Sequence, residues 1–297
     1  MDGRSTPRLR RSLLITPGDR PERMAKAAQL DADGLVLDLE DGVGPEQKAA
    51  ARVAVTEALA SLDFGGRERI VRVNAVDSDE HGKDLEALDV SRIDAIFLPK
   101  VESGRQVEAL GFWLDEQGTR RPGGKPVEII ATIETPRGLM KALEIAEASA
   151  RTTALFFGSG DYTAATGSAV TERSLATPRA LIVAAAAAVG IEAIDAAYFT
   201  AVKDVEATRT DAFIARELGF AGKLVFHPSQ IAVANEVFTP SAEEIARARR
   251  ILDAWGEAQR AGRGTAYNNG EFIAVDIAIM AERVLAKAQQ AGATRKK

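Results

Sequence analysis

The chain has 297 residues, 46% apolar and 27% charged, with a formal net charge of −5, which suits one large globular domain with or without an appendage. The acidic balance, with basic clusters only at the two ends, speaks against a nucleic-acid partner, and no apolar run approaches the roughly 18 residues that cross a bilayer. With no cysteine and only His81 and His227, disulfides, thiolate nucleophiles, Cys-ligated zinc and multi-His centres are excluded, so any metal must be held mainly by carboxylates.

Short apolar runs alternate with longer amphipathic stretches, the pattern of parallel strands joined by helices. Eight runs read as strands: "SLLIT" (12–16), "GLVLDL" (34–39), "RIVRVN" (69–74), "AIFLPK" (95–100), "VEIIATIE" (127–134), "TALFFG" (153–158), "GIEAID" (190–195) and "GKLVF" (222–226). Helical patterns between the first four strands include 21–30, 45–62 and 83–88, and the later ones include 104–117, 136–148, 178–189 and 205–218. Several open with proline, whose fixed φ suits the first helical position. Eight such units closing on themselves predict a TIM (β/α)8 barrel. The structural alternative is an open doubly wound sheet, although no glycine-rich dinucleotide fingerprint follows the first strand.

The barrel's last helix is expected at "PSQIAVANEVF". Beyond it, "PSAEEIARARRILDAWGEAQRAG" opens with Ser241 and Glu244 at the spacing of a capping box. A glycine-rich loop, "GRGTAYNNGEF", and a second helix, "IAVDIAIMAERVLAKAQQ", follow. The expected division is a catalytic barrel over 10–240 and a helical extension over 241–297. The N-terminal "MDGRSTPRLRR" lacks the apolar stretch of a secretory signal, giving a cytoplasmic expectation.

Catalytic groups of such barrels sit where strands end. At those places the sequence has Asp38, Glu40 and Asp41, then Arg72 and Asn74, Lys100 and Glu102, Glu134, Asp161 and His227. A carboxylate aimed into a barrel mouth costs several kcal/mol to desolvate unless a cation or proton compensates. Glu134 and Asp161, on neighbouring strands, could share one Mg²⁺ or Mn²⁺, leaving positions for water and substrate oxygens. An oxo acid would chelate there, and Arg72 is suited to a two-point grip on its carboxylate.

Each position has a plainer reading. Arg72 could pair with Glu40 or Asp41 in a salt bridge, Glu134 could N-cap the helix that Pro136 starts, and Asp161 could be a turn residue. His227 reads as a loop-bonding side chain and His81 as a solvated residue at a helix start. Lys100 is either a Schiff-base lysine or a salt-bridged partner of Glu102 or Glu134.

"RSLLITPGDRPERMAKA", "ADGLVLDLEDGV", "VRVNAVDS", "IFLPKVES", "IETPRGL", "FFGSGDYTAATG" and "FHPSQIAVANEVFTPSAEE" together resemble the citrate lyase β-subunit-like family of CoA-thioester lyases, with malyl-CoA and citramalyl-CoA lyases as close relatives. The resemblance implies Glu134 and Asp161 as Mg²⁺ ligands, Arg72 on the carboxylate of a 2-oxo acid, and Glu40 and Asp41 orienting metal-bound water and Arg72. It further implies that Asp276, in "GEFIAVDIAIMAERVL", acts in proton transfer on a segment covering a neighbouring subunit's site, in a trimer or hexamer. Where relatives often have methionine before the "VD" and proline after it, this chain has "IAVDIAI", and Thr166 stands where a second acid is common.

The expected activity is Mg²⁺-dependent, reversible cleavage of a 3-hydroxyacyl-CoA into acyl-CoA and a 2-oxo acid, with Arg20, Arg23 and Arg137 as candidates for the CoA phosphates. Alternatives are a malyl-CoA thioesterase, a citrate lyase β subunit acting on an acyl-carrier-protein thioester, and a CoA-independent class II aldolase.

Overall fold

The structure, a computed structural model, describes residues 8–118, 124–197 and 199–294. Eight parallel strands, β1 (Ser12–Pro17), β2 (Gly34–Asp38), β3 (Glu68–Arg72), β4 (Ala95–Leu98), β5 (Glu128–Ile133), β6 (Thr152–Phe157), β7 (Glu192–Ala196) and β8 (Gly222–Val225), pair in chain order. β8 returns to β1 through Ser12↔Lys223 and Leu13↔Leu224, so the sheet is a closed barrel and the doubly wound alternative falls.

Strand periodicity fills the barrel. Leu13, Val36, Ile70, Phe97, Ile130, Phe156, Ile194 and Leu224 point inward and form one buried cluster, while the alternate residues of each strand meet the surrounding helices, which is why the strands read as continuous apolar runs. At the N-terminal end of the barrel a charged layer replaces the apolar one. Arg10, 2% exposed, places Nη2 at 2.6 Å from both Glu68 and Glu128 and Nη1 at 3.4 Å from Glu192. These acids open β3, β5 and β7, so with Arg10 just before β1 these charged groups come from odd-numbered strands, and Thr153 of β6 joins them, accepting from Arg10 Nη1 at 3.1 Å.

The expected helices are present with altered edges. The 45–62 stretch is a short 3-10 turn, Pro45–Gln47, followed by Lys48–Ser61, and the 136–148 stretch breaks at Lys141 into Pro136–Met140 and Ala142–Glu147. Pro178 does not open its helix. It lies inside Glu172–Ala188, which starts instead at the Thr171/Ser174 capping box.

The described residues fall into two compact units that divide between Asn235 and Glu236. The second unit has its own small core. Helices Ala242–Arg260 and Val275–Thr294 pack Ala248, Ile251, Ala258 and Ala281 against Ala266 and Ile273. The capping box at Ser241 forms as expected, but the expected loop is a hairpin, β9 (Ala266–Asn268) paired antiparallel with β10 (Glu271–Ile273). Asn269 and Gly270, both at positive φ, supply the tight turn that favours Asn-Gly. Among the described residues no helix is long and apolar enough to cross a membrane.

Candidate active site

The C-terminal ends of β2 to β6 bring most of the polar residues of the sequence together. Arg72, the last residue of β3, is the register partner of Asp38, the last of β2. Its Nε and Nη2 donate to Asp38 Oδ1 and Oδ2, each at 2.7 Å, and Nη1 lies 3.0 Å from Glu40 Oε2. Burial works against the guanidinium charge, but Asp38, Glu40 and Glu134 outweigh it and hold the proton more tightly than in free arginine. The salt bridge anticipated with Glu40 or Asp41 therefore involves chiefly Asp38. Asp38 also accepts from the backbone N–H groups of Glu40 and Gly42, each at 2.8 Å, and so fixes the whole "LEDG" turn. A Cβ on Gly42 would collide with that carboxylate.

Asp41 is a correction. It is exposed, does not touch Arg72, and its nearest cation is Lys100 Nζ at 3.4 Å. Glu40 is buried, and among the described residues its two oxygens accept no hydrogen bond and form ion pairs with Arg72 and with Lys100 Nζ, the latter at 2.7 Å. Burial leaves the Glu40 carboxyl above its ordinary value even though Arg72 and Lys100 oppose the shift.

Glu134 follows β5 directly and is 2% exposed. Its Oε1 accepts from the Lys100 N–H at 2.7 Å. On its other side is Gly158, where a Cβ would sit 2.6 Å from both Glu134 Cβ and Oε2. Burial, with the like charges of Glu40 and Asp161, pushes the Glu134 carboxyl up to about 8. Glu134 does not cap the following helix, because Thr135 Oγ1 does so by accepting from Gly138 N–H at 3.0 Å. Nor is Asp161 in a turn. "SGDYTAAT" is a helix, Ser159–Thr166, with Asp161 in its first turn.

Glu134, Asp161 and Lys100 line one cavity of about 350 Å³. Among the described residues no three acidic or imidazole groups gather into an all-protein cage. Two carboxylates, one of them buried against like charge, form the donor set of a hard divalent ion that keeps water and substrate oxygens in its remaining positions. The residues fit Mg²⁺, whose charge would offset the burial and the like charges of Glu40 and Asp161 that raise the Glu134 carboxyl.

Lys100 pairs with neither Glu102 nor Glu134 through its side chain. Burial opposes the ammonium, but Glu40 and Asp41 outweigh it and raise its pKa, which argues against a Schiff-base amine. His81 is half-buried rather than solvated, with Nδ1 2.8 Å from the Asn74 carbonyl. His227 binds its own loop, accepting from Ser229 N–H. Arg20 and Arg137 are exposed and pair with Asp19 and Glu102. Arg23 lines a separate cavity of about 480 Å³, beside β1 and β8, with Lys26 and Lys203. Asp276 is exposed in the first turn of Val275–Thr294.

The residue that sequence reasoning left unassigned is Asp38. The signal was present, since an Asp two residues before one loop N–H and four before another has the spacing to bind both.

Comparison with known proteins identifies relatives along nearly the whole chain. Over 287 residues the chain is 36% identical to a (3S)-malyl-CoA thioesterase of Cereibacter sphaeroides, covering 96% of each. It is 34% identical to an L-malyl-CoA/β-methylmalyl-CoA lyase of Rhodobacter capsulatus, again over 96% of each. Among solved structures it superposes with TM-score 0.75 and 36% identity on CitE of Mycobacterium tuberculosis in complex with magnesium, acetoacetate and coenzyme A, covering 94% of this chain and 97% of that one. A family profile matches residues 11–228, and on these grounds the chain belongs to the HpcH/HpaI aldolase/citrate lyase family.

Proposed function

We propose that this protein is a Mg²⁺-dependent carbon–carbon lyase that cleaves a 3-hydroxyacyl-CoA of the malyl-CoA or citramalyl-CoA type, reversibly, into an acyl-CoA and a 2-oxo acid. The observation that carries this reading is the buried Glu134, paired with Asp161 across one cavity and within the field of the Arg72 guanidinium. A relative that binds magnesium, acetoacetate and coenzyme A supports it.

Glu134 and Asp161 would hold the ion, which would supply Lewis-acid polarisation of the hydroxyl or oxo oxygen of the acid. Arg72 binds the carboxylate of that acid. Two of its five N–H donors are committed to Asp38 and Nη1 faces Glu40 at 3.0 Å as a charge contact, which leaves the remaining N–H groups for substrate. Asp276 takes or returns the α-proton of the acyl-CoA, acting as general base in condensation and general acid in cleavage. Arg23, Lys26 and Lys203 meet no acidic side chain among the described residues and line a cavity with apolar walls from Leu14 and Phe226. That combination suits the phosphates and adenine of CoA.

The second unit exposes Tyr267, Phe272, Val275, Ile279 and Met280 around Asp276. So much apolar surface beside a catalytic acid favours burial against another copy, and we place Asp276 over a neighbour's site in a trimer or hexamer, in the cytoplasm.

Hydrolysis of the thioester is the second reading, favoured by the Cereibacter relative. Malyl-CoA and citramalyl-CoA are supplied to the purified protein with and without EDTA, and products are followed by mass. A 2-oxo acid with acetyl-CoA, abolished by EDTA and by Glu134→Ala, supports the lyase. Free CoA with intact malate establishes the thioesterase, and no turnover of either thioester overturns both in favour of an acyl-carrier-protein substrate or a CoA-independent aldolase.

A further inference from the structure

Lys100 is one of only two non-glycine residues at positive φ among the described residues, with φ of 51°. A residue with a Cβ holds that backbone only where its surroundings impose it. Coming just after β4, the turn sends the two ends of Lys100 to different partners. The N–H donates to Glu134 Oε1 at 2.7 Å. The ammonium lies 2.7 Å from Glu40 Oε1, while the second Glu40 oxygen lies 3.0 Å from Arg72 Nη1. One residue thereby joins the metal carboxylate, through its main chain, to the substrate-binding guanidinium, through its side chain and Glu40.

The geometry points to Lys100 as a positioning residue that sets the Arg72 fork for the 2-oxo acid through Glu40, while its main chain alone fixes Glu134. This rests on the lyase reading. Without the ammonium, the buried Glu40, whose oxygens accept no hydrogen bond, keeps Arg72 as its one ion-pair partner among the described residues. It then draws on the Arg72 N–H groups otherwise left for substrate. The N–H on Glu134 survives any substitution except proline, so the two roles separate experimentally.

The test is calorimetric titration of Mn²⁺, and then of pyruvate into the Mn²⁺-loaded protein, for the wild type and for Lys100→Met, Lys100→Gly and Lys100→Arg, with thermal unfolding of each. Lys100→Met and Lys100→Gly should weaken pyruvate binding by about tenfold or more, the scale found when a group orienting a ligand-binding side chain is lost. Lys100→Arg should recover most of it, and Mn²⁺ affinity should change by less than about threefold throughout. Steady-state kinetics in the condensation direction should show the loss in KM for the oxo acid more than in kcat.

Unchanged pyruvate affinity in Lys100→Met overturns the proposal, as does a parallel fall in Mn²⁺ affinity, which would put the side chain at the metal. Wild-type affinity in Lys100→Gly overturns it too, because the backbone and not the ammonium would then matter. If Lys100→Met unfolds, Lys100→Gly, which is free of left-handed strain, carries the comparison. A wild-type protein that binds Mn²⁺ and no 2-oxo acid refutes the lyase reading itself, before any variant is measured.

Discussion

Asp38 and Arg72 are register partners on the last rung shared by β2 and β3, and there they form a two-point ion pair with both distances 2.7 Å. Neighbouring strands lie about 4.8 Å apart, so register brings the two side chains together at the end of the parallel β2/β3 pair. Asp38→Asn keeps the shape and removes the charge. Breaking a buried pair leaves an uncompensated ion, and with Glu40 still in place the expected loss is about 2–3 kcal/mol of stability. A rise in KM for the 2-oxo acid should accompany it. Denaturant unfolding and steady-state kinetics check both, and a variant of unchanged KM would show that Arg72 needs only Glu40.

The elevated carboxyl of Glu134 gives a pH dependence of definite sign. Its pKa moves from 4.5 to about 8 on folding without metal, so between those values the folded chain holds more protons than the unfolded one. Stability of the metal-free protein is therefore fullest below about pH 4.5 with respect to this group, and it declines by up to a few kcal/mol as pH rises through about 8. Mg²⁺ should reverse the decline most strongly at high pH, because binding releases the proton. Thermal unfolding from pH 6 to 9 in EDTA and in Mg²⁺ measures this. Glu134→Gln should flatten the EDTA curve and abolish the response to Mg²⁺.

Gly158 is glycine because the Glu134 side chain occupies the space of its Cβ, which would lie 2.6 Å from Glu134 Cβ. The obstacle is an atom fixed to the neighbouring backbone, so it cannot swing away. Gly158→Ala should cost about 1–3 kcal/mol of stability as overpacking and displace Glu134, lowering Mn²⁺ affinity by about tenfold or more. Calorimetry tests it, and unaltered Mn²⁺ binding would mean that Glu134 is not a ligand.

At the opposite end of the barrel the charged layer around Arg10 should behave in the reverse manner. Arg10→Met removes the nearest cation from the buried Glu68 and Glu128 and leaves them the more distant Arg8, whose Nε is 3.9 and 3.8 Å away. About 3–5 kcal/mol of stability should be lost, as for other broken buried ion networks. Because the layer lies at the barrel face that does not carry out chemistry, kcat per folded molecule should stay at the wild-type level.

The barrel was legible because each strand is a short apolar run and several helices carry their own start signals, as at Pro21, Pro136 and Ser241. The strand-end acids were legible because charge after an apolar run is conspicuous. What the sequence hid was partner choice. Asp38, Glu40 and Asp41 are three acids within four positions, and only the β2/β3 register decides that the first meets Arg72 and the last turns outward to Lys100. The helix at Ser159–Thr166 was hidden by the glycines of "GSGD", which read as a turn, although the first of them, Gly158, serves close approach to Glu134. Arg10 was passed over because it precedes its strand, and its partners are 58, 118 and 182 residues away.

Asp276 allows a test of assembly that does not depend on where the second unit lies. If it serves a neighbouring copy, an oligomer of Asp276→Asn chains and an oligomer of Arg72→Lys chains are each inactive, the first without the proton-transfer acid and the second without a two-point grip on the carboxylate. Co-expressed, they form mixed oligomers in which the intact Asp276 of one chain faces the intact Arg72 of another. Activity should return in the mixture and be absent from either parent, with light scattering reporting a species larger than a monomer. A mixture as inactive as its parents would place Asp276 in its own chain's site or outside the chemistry, and a monomer of full activity would remove the intersubunit arrangement altogether.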